Sequence, residues 1–245
     1  MYFCGQNSSM EYKRILLKLS GESLMGDDGY GIQYAAVSHF ADEIKSAVEH
    51  GVQVGVVIGG GNIFRGVNGA SKGFDRRQGD YMGMLATIIN AMALQGVLEE
   101  KGVKVKVLTS LEIEGMTEKI FFKNAVRYLE EGFVVIFGGG TGNPFFTTDT
   151  GAALRAVEIQ ADLLLKGTRV DGIYTADPEK DPNATKYTHI TYAEAYEKQL
   201  KIMDLTAFTL CRDNHIKLYV YDANRPGNLL RVLQGESIGT SVENQ

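Results

Sequence analysis

Short apolar runs alternate along this chain with longer segments whose apolar residues recur at helical spacing. Such runs are typical of buried strands in a parallel sheet, and the periodic segments between them predict connecting helices. The predicted strands are RILLKL (14–19), QVGVVI (53–58), 103–108, FVVIF (133–137), 162–166 and 217–221. The pattern predicts one α/β domain with a mainly parallel sheet and neither an internal repeat nor a linker.

The periodic segments predict the helices and turns. Val37, Phe40, Ala41, Ile44 and Val48 form one helix face, which Gly51 ends. A long helix is expected from Asp80 to about Lys101, where Asp80 is either a cap or an acceptor for sugar hydroxyls; its predicted core stripe is Met82, Leu85, Ile89, Met92 and Val97. Other helices are expected at 118–131, from about 152, within 188–201 (after a strand edge), from 203 and at 229–233. A turn or hairpin tip is expected at 26–31, and a turn-rich segment at 171–178. The C-terminal tail is polar.

Glycine-rich loops follow several of the predicted strands. The loop GGGTGNPFFTTD (138–149) lies between a strand and a helix, and Thr147, Thr148 and Asp149 occupy its N-cap region. Glycines allow close approach of the backbone, and helix N-termini attract anions, so this loop suits a phosphate, while a tight turn with a cap is an equal alternative for the loop taken alone. A second loop, GGGN (59–62), precedes Arg65, and Lys18 and Lys166 each stand before a small-residue turn. Because carboxyl ends of parallel strands share one sheet edge, these groups are expected to meet there.

Composition excludes several classes of function. The 245 residues carry 25 Lys and Arg against 30 Asp and Glu, so no broad basic surface for nucleic acid is predicted. The two cysteines and four histidines lack metal-ligand spacing, and neither a signal peptide nor an apolar run of about 18 residues is evident. We therefore expect a cytoplasmic protein without a membrane or nucleic-acid partner. Residues 1–9 are expected to be a flexible tail or a cloning remnant, followed by a single domain at 10–245.

The motifs that are absent narrow the chemistry further. The chain has no GxxxxGK[ST], no GxGxxG after a strand and no GxSxG, which disfavours P-loop kinases, dinucleotide-binding enzymes and serine hydrolases. What remains is a cradle of backbone amides, lysines and carboxylates. This inventory suits phosphoryl transfer by positioning and electrostatics, with Mg²⁺ neutralising nucleotide phosphates.

Six motifs together resemble bacterial uridylate kinases, the UMP kinases of the amino acid kinase family. They are KLSGE (18–22), VIGGGNIFRG (57–66), GDYMGMLAT (79–87), GTGNPFFTTD (140–149), LKGTRVDGIYTADP (165–178) and MDLTAF (203–208). The resemblance covers about 12–240 and implies a three-layer α/β/α sandwich that catalyses ATP + UMP → ADP + UDP. It also implies a UMP-binding part at about 10–160 and an ATP-binding part at about 161–240.

The resemblance assigns candidate residues by motif. The implied catalytic set is Lys18, Arg65, Lys166, Asp149 and Asp204, with no direct metal ligand assigned. The implied ATP contacts are Lys18, Leu19, Ser20, Gly21, Gly61, Arg65, Thr168, Tyr174 and Asp177. The implied UMP contacts are Gly60, Asp80 (on the ribose), Thr141, Gly142, Asn143, Pro144, Phe145, Phe146, Thr147 and Thr148.

The resemblance further implies a homohexamer that GTP activates and UTP inhibits. The implied effector segment is Gly26, Asp27, Asp28, Gly29, Tyr30 and Gly31, whereas Gln95, Glu99 and Phe133 stand where some family members carry basic residues. Two alternatives stay open from the sequence. One is another amino acid kinase with a carboxylate or carbamate acceptor, and the other is a non-catalytic uridine-nucleotide sensor.

Overall fold

A single mainly parallel sheet forms the centre of the computed structural model, which describes residues 10–64, 73 and 75–244. Within these residues nine strands pair in the order β4-β3-β5-β2-β1-β6-β10-β11-β9, and β7 and β8 form a separate antiparallel pair. Every pair in the large sheet is parallel except β10 with β11. The strands are β1 Arg14–Leu19, β2 Gln53–Ile58, β3 Val105–Thr109, β4 Glu118–Lys119, β5 Val134–Gly138, β6 Leu163–Thr168, β7 Ile173–Tyr174, β8 Lys186–Tyr187, β9 His189–Thr191, β10 Lys217–Asp222 and β11 Thr240–Glu243.

Helices cover both faces of this sheet. They are α1 Tyr34–Glu49, α2 Arg76–Glu100, α3 Phe122–Glu130, α4 Thr148–Glu158, α5 Tyr192–Glu197, α6 Leu205–Asp213 and α7 Asn228–Leu233. Alternate side chains of β1 enter two separate cores: Ile15 and Leu17 pack with α1, α2 and α7, whereas Leu16 packs with α3 to α6. This alternation follows from the two-residue period of a strand. The predicted three-layer α/β/α architecture is therefore confirmed.

The long helix α2 differs from its sequence prediction. It begins at Arg76, and Asp75 is the N-cap whose carboxylate accepts from the amides of Arg77 and Gln78, so Asp80 is not a cap. The predicted core stripe is confirmed at Val97, which is buried, and wrong at Leu85, Ile89 and Met92, while Met82 is half-buried. Leu85, Ile89 and Met92 are 46%, 49% and 38% exposed, because a neighbouring face of the same helix packs against the sheet. That buried face comprises Met84, Ala86, Ile88, Ala91, Leu94 and Leu98.

Shorter segments also depart from prediction. The helix expected at 118–131 begins only at Phe122, because Glu118–Lys119 pairs with β3 as an edge strand. The segment expected to be a polar tail contains β11, whose Val242 is buried against the sheet. By contrast, the segment 26–31, predicted as a turn or a hairpin tip, is a turn, with a 3₁₀ stretch at Gly26–Asp28. The turn-rich segment 171–178 includes β7.

Among the described helices, α2 is the one that is long and apolar enough to cross a membrane, judged by length and composition alone. Its most apolar 18 residues have a mean hydropathy of 1.4. Half of these residues are buried inside the fold, and a buried core helix has the same length and composition.

Candidate active site

Two lysines and one aspartate form a compact charge cluster at the carboxyl ends of adjacent strands. Lys18 on β1 and Lys166 on β6 are direct partners in the parallel register, so the sheet sets them side by side. Asp149 reaches them from the first turn of α4: its Oδ1 lies 2.8 Å from Lys18 Nζ, and its Oδ2 lies 2.6 Å from Lys166 Nζ. These side chains are 14%, 15% and 16% exposed for Lys18, Asp149 and Lys166 respectively. One carboxylate therefore holds two cations, and the cluster keeps a positive charge.

Burial and mutual attraction set the ionisation of this cluster. Burial by itself raises the pKa of Asp149, but the charges of Lys18 and Lys166 outweigh it and hold the pKa below its usual range. Burial also lowers the pKa of Lys166, and the neighbouring Lys18 charge acts in the same direction against the attraction of Asp149. Lys166 additionally donates to the carbonyl of Ile202 at 2.5 Å. The Asp149 carboxylate is thus held in its charged form between the two lysine side chains.

The β5–α4 loop is tied to this cluster through Asp204. Thr147 is the N-cap of α4, and its hydroxyl accepts from the amides of Asp149 and Thr150. The same hydroxyl donates to Asp204 Oδ2, as does Thr150 at 2.9 Å, and Asp204 Oδ1 accepts from the Ala207 amide at the start of α6. Asp204 therefore fixes the N-terminus of α4, whose dipole favours an anion beside it.

A cavity of about 680 Å³ opens beside this helix N-terminus. Asp80 lies in its wall and is already oriented, because its Oδ2 accepts from the Phe145 amide at 2.8 Å and from Arg76 Nε at 3.0 Å. Predicted residues that line the cavity are Lys18, Gly60, Gly61, Asp80, Thr141, Asn143, Phe146, Thr147, Thr148, Asp149 and Asp204. Gly142, Pro144 and Phe145 belong to the same loop without lining the cavity.

Two further cavities share these lysines. One, of about 560 Å³, is lined by Lys166, Thr168, Tyr174 and Asp177, and the Tyr174 hydroxyl donates to Asp171 at 2.6 Å. The other, of about 710 Å³, is lined by Lys18, Ser20, Lys166, Thr168 and Asp177, and also by Gly26 and Asp27 of the predicted effector segment. Lys18 thus lines both the cavity at the α4 terminus and the cavity of about 710 Å³, and Lys166 lines both further cavities.

Close backbone packing explains two of the predicted glycines. A Cβ at Gly21 would lie 2.4 Å from the Gly59 carbonyl oxygen, and one at Gly60 would lie 2.8 Å from the Gly83 carbonyl oxygen. No side chain fits at either position without moving backbone. The Leu19 side chain is buried in the core, and Leu19 lines none of the three cavities. Arg65 lies outside the described residues.

Sequence reasoning missed several residues that line these cavities. Thr87 on α2 accepts from the Gly139 amide at 2.8 Å and donates to the Met84 carbonyl at 2.7 Å, so it fastens the glycine loop to the helix. It falls within the GDYMGMLAT motif, which was the available signal. Other unpredicted lining residues are Arg76, Gly83, Met84, Lys198, Gln199, Leu200, Lys201 and Ile202. The segment 198–202 carries no local signal, because only the tertiary fold brings it to Lys166.

Known proteins resemble this chain over nearly its whole length. The model of the amino acid kinase family matches residues 13–222. A uridylate kinase of Porphyromonas gingivalis is 61% identical over 95% of this chain and 98% of its own length. A uridylate kinase of Parabacteroides distasonis is 60% identical over 96% and 99% of the two chains. The crystal structure of a UMP kinase from Bacillus anthracis superposes with a TM-score of 0.93 at 39% identity, covering 96% of this chain and 97% of its own. The chain therefore belongs to the amino acid kinase family and, within it, to the uridylate kinases.

Proposed function

We propose that this protein transfers the γ-phosphoryl group of ATP to UMP, giving ADP and UDP, as a cytoplasmic enzyme of pyrimidine nucleotide biosynthesis. The uridylate kinase relatives support the substrate pair. The observation that carries the mechanism is the pair of largely buried lysines on Asp149, of which Lys18 lines both the cavity of about 680 Å³ and that of about 710 Å³. A group transferred between ligands in these cavities would pass beside both ammonium groups.

We assign UMP to the cavity of about 680 Å³ and ATP to the other two. Asp80 is a suitable acceptor for ribose hydroxyls, and the amides of the Gly138–Asp149 loop and the α4 N-terminus are suitable donors to the UMP phosphate. Tyr174 and Asp177 would contact the adenosine part, while Ser20, Gly21 and Lys18 would follow the phosphates. The UMP part thus falls within about 10–160 and the adenosine part within about 161–240.

The chemistry needs charge neutralisation more than proton transfer. The nucleophile is a phosphate oxygen of UMP, and a phosphate monoester has a second pKa of about 6, so it is largely dianionic at neutral pH. No general base is required. The main obstacle is the repulsion between two polyanions, which Lys18, Lys166 and the α4 N-terminus counter.

The donor set of the site fits Mg²⁺ that arrives with the nucleotide. Among the described residues no group of three or more His, Cys, Asp or Glu side chains could hold a metal by itself. Mg²⁺ usually takes one or two carboxylates and completes its shell with substrate phosphates and water, and Asp149 and Asp204 face the same cavity. These two carboxylates would hold it or orient its water. Bound there, it would neutralise phosphate charge.

The direct test is ADP release by the purified protein with ATP and Mg²⁺ against a panel of acceptors. The panel comprises UMP, dUMP, CMP, AMP, acetylglutamate, aspartate and carbamate. We expect turnover with UMP far above that with any carboxylate or carbamate. Turnover only with one of the latter would move the protein to another activity of its family. Saturable UMP binding without turnover would indicate a nucleotide sensor.

We also propose that the protein forms a homo-oligomer, a hexamer by family resemblance, which GTP activates and UTP inhibits. The exposed apolar stripe of Leu85, Ile89 and Met92 on α2 supports self-association, because such a stripe is costly to leave in water. Light scattering tests this: the wild type should be oligomeric, and Ile89→Arg should shift it to smaller species. Titration of GTP and UTP into the assay tests regulation. In the described structure Gln95 donates to Glu99 at 2.9 Å, so this pair offers no positive charge to an effector phosphate.

A further inference from the structure

Two buried asparagines form a closed amide pair beneath the glycine loop that follows β2. Asn62 and Asn90 are 2% and 0% exposed. Asn62 Nδ2 donates to Asn90 Oδ1 at 3.0 Å, and Asn90 Nδ2 donates back to Asn62 Oδ1 at 2.7 Å. Each amide then has one N–H left. Every polar atom of the pair is satisfied only if both spare donors find partners.

The two spare donors bind backbone carbonyls in two different segments. Asn90 Nδ2 donates to the Gly59 carbonyl at 2.7 Å, and Asn62 Nδ2 donates to the Gly31 carbonyl at 2.8 Å. The Gly31 amide also donates to the Asn62 carbonyl at 2.9 Å, so Gly31 is held twice. The pair therefore connects the Gly59–Gly61 loop, helix α2 and the end of the 26–31 segment.

The connected segments border the transfer site. Gly60 and Gly61 line the cavity beside Asp149, and Gly26 and Asp27 line the cavity shared by Lys18 and Lys166. Gly21 packs closely against Asn62, because a Cβ at position 21 would lie 2.6 Å from Asn62 Oδ1. A shift of either side-chain amide would therefore move backbone that borders both of these cavities.

We propose that Asn62 and Asn90 are positioning residues that hold the Gly59–Gly61 loop and the 26–31 segment in one fixed arrangement beside the phosphoryl-transfer centre. They contact no reacting atom. This role rests on the proposed kinase function, and it extends that function to a buried pair outside the cavity linings. A fully satisfied buried network of this kind is rigid, and its members act as a unit.

The test compares Asn62→Leu, Asn90→Leu and the double variant with Asn228→Leu as a matched control. Asn228 is also buried, donates to the Asp222 carbonyl at 2.9 Å and accepts from Arg231, but it lies on α7 and its side chain bonds to neither loop. Melting temperature, kcat, and KM for ATP and UMP are measured below the melting range of every variant. All four variants should melt earlier than the wild type.

The kinetic pattern distinguishes positioning from simple stabilisation. Misplacement of a transfer loop should lower kcat by about 10- to 100-fold in each pair variant, with a smaller change in either KM. The double variant should lose no more than the worse single one, because the pair acts as a unit. Asn228→Leu should keep kcat within about twofold. A kcat near the wild-type value in the pair variants, or losses that multiply in the double variant, would overturn the proposal.

Two further measurements cover failure to fold and failure of the proposed function. Asn90→Asp keeps the shape of the side chain but has one O–H, as the neutral acid, in place of two N–H donors, so it cannot donate to both the Gly59 carbonyl and Asn62 Oδ1. It replaces the leucine variant if that does not fold. In the wild type, amide hydrogen exchange at Gly31 should be as slow as at Gln33, which donates to the Leu24 carbonyl at 2.8 Å. Fast exchange at Gly31 but not at Gln33 would overturn the proposed positioning role of Asn62 and Asn90, even if the wild type proved inactive with UMP.

Discussion

Removal of the Lys18 ammonium should abolish most of the turnover and leave the fold intact. In Lys18→Ala, Asp149 keeps Lys166 at 2.6 Å, so no buried charge is left without a partner. The substitution leaves Lys166 as the cation paired with the Asp149 carboxylate, and it also removes the repulsion between the two lysine side chains. We therefore expect a stability loss of about 1–2 kcal/mol, or roughly 2–8 °C in melting temperature for a chain of this size.

The catalytic effect should be much larger. A unit charge about 4 Å from a phosphoryl oxygen, at an effective dielectric constant of about 20, contributes about 4 kcal/mol. If most of this interaction is realised only in the transition state, kcat falls by roughly 10²- to 10³-fold. Lys18→Met, which keeps the aliphatic stem, should show the same kinetic loss with a smaller change in stability.

The assay is ADP release at saturating ATP, Mg²⁺ and UMP, combined with calorimetry on the same preparations. Asn228→Leu serves again as the control for a general loss of stability, since Asn228 lies on α7. A folded Lys18→Ala protein with a kcat within about tenfold of the wild type would refute the reasoning, because one missing charge at the transfer centre costs at least about 10²-fold. Unfolding at 25 °C would refute the claim that Lys166 compensates Asp149.

Three other perturbations follow from the same geometry. Asp149→Asn leaves Lys18 and Lys166 without a counter-charge, so calorimetry should show a loss of about 3–5 kcal/mol, and activity should be lost. Because the pKa of Asp149 is depressed in the folded protein, its charged carboxylate stabilises the fold at pH values above the ordinary aspartate pKa. This stabilisation should be lost as the pH falls through the lower pKa that Asp149 has in the folded state. Because burial lowers the pKa of Lys166, kcat should decline on the alkaline side below the ordinary lysine pKa, and Lys166→Arg should remove that limb from the pH profile. Asp80→Asn should raise KM for UMP more than KM for ATP, since the carboxylate holds the Phe145 amide in the UMP cavity wall.

The local pattern of apolar residues was sufficient to predict individual strands. The runs at 14–19 and 53–58 match β1 and β2 residue for residue, because continuous apolar runs bounded by turns have few other solutions. The N-cap predicted within 147–149 is confirmed for a similar reason, since the cap geometry is encoded within a few residues, and Thr147 is the residue that forms it.

The convergence of Lys18 and Lys166 is not a local property. Each stands at the end of an apolar run, but nothing in either run shows that β1 and β6 are neighbours with the two lysines in register. That adjacency comes from the crossover order of the sheet. The same holds for Asn90, which is an unremarkable polar residue within a helix until the fold sets it opposite Asn62.

Helix α2 shows why periodicity can select the wrong face. Its residues 84, 88 and 91 and its residues 85, 89 and 92 are both apolar at helical spacing, so the sequence pattern cannot choose between them. The tertiary fold selects the face that meets the glycines of the sheet edge: a Cβ at Gly60 would lie 2.8 Å from Ala86 Cβ, and one at Gly138 would lie 3.1 Å from Ile88 Cγ1. The face that carries Ala86 and Ile88 packs closely against these glycines, whereas the neighbouring stripe of Leu85, Ile89 and Met92 is exposed. The stripe that was predicted as core is thereby left on the surface, where the self-association proposed above would bury it.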